Sequence, residues 1–126
     1  MRIYKIEDLQ VWQQSRILCS FAYKLTKCFP DSEKFNLIKH LRENARAVPS
    51  NIAEGFYRFH YQDSIRFYII ARGCLGEMKS DLYLSFDQNY INESELNDYL
   101  QKIEILLIML NSLIKQIKIR KTSVLQ

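Results

Sequence analysis

Glycine and proline are scarce in this chain, with three Gly and two Pro among 126 residues, about 4% where average usage runs to roughly 12%. Five such residues cannot supply the turns of a β-sandwich or barrel. Cysteine is sparse as well. Cys19, Cys28 and Cys74 are odd in number and share no close spacing, so neither a disulfide framework nor a zinc motif is indicated, and they read as small core residues. The longest apolar run, residues 105–110, falls far short of the roughly 20 residues of a membrane-spanning helix. The first eight residues hold neither an apolar signal core nor a small-residue cleavage site, so a cytoplasmic location is expected. Also missing are a Gly-rich phosphate loop, an HExxH pair and a Glu-x-x-His pair of the kind that builds di-iron sites. A non-enzymatic protein with no metal or cofactor is expected.

At 48% hydrophobic and 25% charged, the chain is globular in composition and its length suits one domain. Its apolar periodicity is helical throughout. Val11, Ser15, Leu18, Ala22, Leu25 and Phe29 form one seam, ended by Pro30, whose ring disfavours helical geometry at the residue before it. Ile38, Leu41, Ala45, Val48, Ile52, Gly55 and Phe59 form a second, in phase across Pro49. This reads as a continuous helix kinked at the proline, starting at the caps Asp31 or Ser32. Tyr68, Ala71, Leu75, Met78, Leu82 and Ser85 form a third, with Gly73 and Gly76 reading as points of close approach by a neighbouring helix. The fourth opens on a capping-box pair, Asn92 and Glu95, and continues through Leu96, Leu100, Ile103, Leu107, Leu110, Ile114 and Ile117. The expected fold is all-α, an up-down-up-down antiparallel four-helix bundle with helices at about 7–28, 32–58, 62–89 and 93–119.

Ile105, Leu106, Leu107, Ile108, Met109 and Leu110 are apolar in succession and at 100° per residue point all round the helix. Either another subunit covers the outer face, with Ile105, Ile108 and Met109 as interface residues, or the helix is enclosed within its own bundle. A homo-oligomer is the expectation.

Net charge is +4, which permits binding to a polyanion without requiring it. Lys39, Arg42 and Arg46 share one helical face, opposite in trend to the apolar seam. Arg58, Arg66 and Arg72 could extend that stripe, and Lys115, Lys118, Arg120 and Lys121 form a basic end to the last helix. The face reads either as a solvated charged surface or as a site for nucleic-acid phosphates. Glu54 and Arg58 have the favourable order for an intrahelical ion pair. His40 reads as solvated or capping, and His60, between Phe59 and Tyr61, as part of a packed turn.

The segment Asn51-Ile52-Ala53-Glu54-Gly55, preceded by Pro49 and followed by Arg58, resembles the signature of the four-helix-bundle proteins encoded in 23S rRNA intervening sequences. That family includes the accessory variability determinant of diversity-generating retroelements. Leu9-Gln10-Val11-Trp12-Gln13, Phe29-Pro30 with Glu33, and Ile70-Ala71-Arg72-Gly73 with Leu75 and Glu77 extend the resemblance over nearly the whole chain. Asn89 stands where glycine is usual before Tyr90, Asn44 replaces a small residue, and His60 replaces a Ser or Thr cap. The resemblance implies a structural role for Pro49, Asn51, Glu54 and Gly55 and a ring-shaped homo-oligomer of five bundles. It also implies partners among RNA or DNA and a reverse transcriptase. Two functions stay open: an accessory protein that binds RNA phosphates through its basic face, and a protein-interaction scaffold that does not bind nucleic acid directly.

Overall fold

Four helices carry the chain in the computed structural model, which describes residues 3–125, with side chains through residue 120. They are α1 (Gln10–Thr26), α2 (Leu37–Phe56), α3 (Tyr61–Asp87) and α4 (Glu93–Leu125), with 3-10 turns at Ile6–Asp8 and Asp31–Glu33. Each packs on the next in sequence and α1 also meets α4, which is the contact pattern of an up-down bundle. The seams meet at the centre. Leu41, Val48 and Ile52 of α2, Leu75, Met78 and Leu82 of α3, and Ile103, Leu106 and Leu110 of α4 are fully buried, with Val11, Leu18 and Ala22 contributed by α1. Burial of each large apolar side chain contributes about 1.5–3 kcal/mol. On α4 Tyr99 and Leu106 are buried where the seam names Leu100 and Leu107, which are half-buried.

The second helix begins at Leu37, not at Asp31 or Ser32. Residues 31–33 form a 3-10 turn instead, and Phe29, buried against the Tyr90 ring at 5.3 Å, pins the connection. The carboxylate of Glu33 holds this end together: Oε1 accepts from the Leu37 amide at 3.5 Å and Oε2 accepts from the Tyr90 hydroxyl at 2.9 Å. That hydrogen bond pushes the Tyr90 phenol above its ordinary pKa. The helix then runs unbroken through Pro49, whose missing amide leaves the Ala45 carbonyl without its helical donor. Asn51, two residues on, donates from Nδ2 to the Ala47 carbonyl at 2.8 Å. The helix ends at Phe56, so Phe59, placed on the seam by period, lies beyond it and is 93% exposed.

Both ends of the α3–α4 connection follow their residue chemistry. Asn89 adopts φ of 64°, the left-handed region that Asn tolerates best after Gly. The Tyr90 amide bonds to the Ser85 carbonyl and the Asn89 amide to the Phe86 carbonyl, a Schellman closure. At the start of α4, the Glu95 amide donates to Asn92 Oδ1 at 2.8 Å and the Asn92 amide to Glu95 Oε1 at 2.9 Å, the reciprocal bonds of a capping box.

The close helix approach is at Gly55, not at Gly73 or Gly76. A Cβ on Gly55 would meet the Tyr68 ring at 2.8 Å and the Ser64 carbonyl at 3.0 Å, whereas one on Gly73 or Gly76 would meet nothing within 4 Å. Gly55→Ala is therefore expected to lower stability by about 1–2 kcal/mol, the overpacking outweighing the gain in helix propensity. Gly73→Ala and Gly76→Ala are expected to raise it by roughly 0.5–1 kcal/mol each. Urea unfolding midpoints of the three variants check both signs. Of the cysteines, Cys19 and Cys74 are half-buried and pack against the core, whereas Cys28, just past α1, departs from expectation and is exposed.

Candidate nucleic-acid interface

Lys39, Arg42 and Arg46 line one open groove of about 450 Å³ between α1 and the start of α2, together with Tyr23, Lys34, Phe35, Ile38 and Glu43. Four cations thus face one carboxylate, and that carboxylate is shared with Lys39 at 4.0 Å. Two aromatic rings stand among them. The Arg42 guanidinium lies 5.0 Å from the centre of the Tyr23 ring, and the Lys34 ammonium 5.5 Å from that of Phe35. Such cation–aromatic pairs are attractive by about 0.5–1 kcal/mol at exposed positions.

The cations differ in freedom. Arg42 is half-buried, and its Nε donates to Thr26 Oγ1 at 2.8 Å and its Nη2 to the Tyr23 carbonyl at 3.4 Å. It thereby satisfies a carbonyl of the last turn of α1, where a cation also suits the helix dipole. Arg42 joins α1 to α2, so its replacement would disturb packing as well as charge. Lys39 and Arg46 are exposed on the same face. Arg46 also reaches toward α1, where burial pushes the Cys19 thiol up and the arginine charge opposes that shift.

The remaining basic residues lie elsewhere. Arg58 pairs with Glu54 at 2.5 Å, and both residues are substantially exposed, so the pair contributes little to stability. Arg58 and Arg66 flank the Phe67 ring at 4.7 and 5.1 Å, past the C-terminal end of α2, whereas Arg46 lies ten residues, about 15 Å, before that end at Phe56. Arg72 donates to Asn111 Oδ1 at 2.9 Å and so belongs to the α3–α4 face. Lys115, Lys118 and Arg120 are exposed on α4, and the side chain of Lys121 lies outside the described residues. The stripe is therefore not continuous. Sequence reasoning missed Tyr23, Lys34 and Phe35, because the first is one residue off the α1 seam and the others sit in a connection with no period.

A second polar cluster joins α2 to α3. His40 Nδ1 meets Oδ2 of Asp81 and its Nε2 lies 3.6 Å from Glu77, while Asn44 Nδ2 donates to the His40 carbonyl at 3.2 Å. Asp81 is buried, whereas the His40 side chain is half exposed. The histidine read as solvated or capping is thus the partner of a buried carboxylate. The hydrogen bond to Asp81 raises the His40 pKa above its ordinary 6.5, against the opposing effect of burial, and the charges of Asp81, Glu77 and Glu43 add to the rise. A raised folded-state pKa means that the stabilisation is complete below the unfolded value and is lost as pH rises through the folded one. His40→Ala leaves the Asp81 carboxylate buried without this partner and is expected to cost about 1–3 kcal/mol. Asp81→Asn is expected to reduce the decline in stability across the histidine titration, leaving the smaller part due to Glu77 and Glu43. Thermal melts on either side of that titration, for parent and both variants, check the sign.

Among the described residues no group of three or more His, Cys, Asp and Glu side chains could hold a metal ion, and no helix is long and apolar enough to cross a membrane. The fold and groove define a four-helix all-α protein with a cationic, aromatic-lined face. The chain belongs to the 23S rRNA-intervening sequence protein family, whose model matches residues 7–112. None of the curated proteins compared with the chain matches it.

Proposed function

We propose that the protein is a non-enzymatic accessory protein that binds RNA phosphates through the groove lined by Lys34, Lys39, Arg42 and Arg46. The gathering of these four cations in one groove that holds a single carboxylate carries the reading, and membership of a family named for an rRNA intervening sequence supports the choice of RNA. Cations in such a groove displace the counterions condensed on a phosphate backbone, which gives affinity without base specificity. The test is RNA binding over a salt series. Affinity falls steeply with salt if phosphates are the contacts, and absence of binding at low salt overturns the reading.

The active form in this proposal is a homo-oligomer, a ring of five by the resemblance. Ile108 and Ile105 are 67% and 49% exposed, and Ile108 and the half-buried Met109 line an open groove of about 750 Å³ with Leu9, Val11 and Leu113 at the α1–α4 face. A second copy of the chain is the occupant that suits this surface, because it would cover the large apolar side chains of Ile105 and Ile108 that the protomer leaves in water. Repetition of the basic groove around a ring would add weak phosphate contacts through effective concentration.

A further inference from the structure

Resting on the phosphate-binding reading, we infer that the groove selects single-stranded over double-stranded nucleic acid, with an unpaired base stacking on Phe35 while Lys39 and Arg46 hold the flanking phosphates. Phe35 is 77% exposed, and it lies in the short connection between the Asp31–Glu33 turn and α2, where the core makes no use of it. A large apolar ring in that position buries little surface. It does supply a π-face at the mouth of a groove already lined by four cations and the Tyr23 ring. A duplex keeps its bases stacked inside and offers this ring only sugar and phosphate, so the aromatic surface contributes to binding only when a base is free to leave the stack. The second exposed aromatic cluster fits less well. Phe59 is more exposed still, but the neighbouring Arg58 is already paired with Glu54. Because every base has a π-face, the platform takes RNA and DNA strands alike.

The experiment is fluorescence anisotropy of the full chain with three labelled probes: a short oligouridylate, the corresponding oligothymidylate, and the oligouridylate annealed to its complement. The parent is expected to bind both single strands more tightly than the duplex. Phe35→Ala is expected to weaken single-strand binding by roughly 5- to 150-fold, the range that alanine substitution of base-stacking aromatics gives. Its duplex affinity and its salt dependence should stay as in the parent, and Phe35→Tyr should restore single-strand binding. Arg46→Gln should weaken single-strand and duplex binding together, which separates the phosphate contribution from the stacking one. Because Phe35 is mostly in water, the variant keeps the fold, and an unchanged thermal melt checks this. Single-strand binding by Phe35→Ala equal to that of the parent, or a parent that binds duplex as tightly as single strand, overturns the inference while leaving phosphate binding in place. Absence of binding to all three probes at low salt overturns the phosphate reading, and this inference with it.

Discussion

Replacing Lys39 and Arg46 together with Gln is expected to lower the slope of log affinity against log salt by up to about 2 for each subunit engaged on RNA. Each neutralised phosphate contributes about 0.7 to 0.9 to that slope, and two cations are removed. Both side chains are exposed and neither belongs to the apolar core, so the variant should unfold at the same urea concentration as the parent. Arg42 is left in place for a physical reason: it bonds to Thr26 and Tyr23 at the end of α1, and its removal would mix a packing defect with a binding one. Sequence preference should not change, because phosphate contacts position without specifying. The measurement is anisotropy of a labelled RNA at several salt concentrations. An unchanged slope would move the contact surface to the basic end of α4, first to Lys115 and Lys118.

Ile108→Glu is expected to reduce the mass of the particle in solution from about five times 15.1 kDa, near 75 kDa, to that of one chain. Ile108 is two-thirds exposed in the protomer, so the substitution leaves the core intact, and Glu is a good helix former. At an interface between copies the same carboxylate would be stripped of water without a partner, at a cost of several kcal/mol, which is enough to dissociate an assembly. Light scattering at micromolar concentration reads the mass, and circular dichroism confirms that the helices persist. A parent that scatters as a monomer would sink the proposed ring, whatever the variant does.

Much of the local chemistry was legible where partners lie within two helical turns of each other. The reciprocal bonds of Asn92 and Glu95, the Glu54–Arg58 pair and the shared face of Lys39, Arg42 and Arg46 all follow from spacings of three, four or seven residues. The start of α2 was not legible, because Asp31 and Ser32 cap a short turn as readily as a helix and the choice depends on where Phe29 and Tyr90 meet. His40 and Asp81 lie 41 residues apart, and no period connects them. The same holds for Tyr23, which reaches the groove only because α1 and α2 pack together.

The sequence by itself determined the number of helices, the face each turns to the core and the near-absence of irregular structure. These depend on the 3.6-residue period and on a scarcity of Gly and Pro, properties any short stretch of chain carries. Only the tertiary structure decided which charged side chains share a surface. It separated Arg58, Arg66 and Arg72 from the Lys39–Arg46 groove, assigned Arg42 to the end of α1, and brought Tyr23 and Phe35 to the groove's edge. The reason is geometric: a helical period orders residues around one axis, whereas a groove between two helices depends on the rotation and offset of one axis against another, which packing of the buried seams sets.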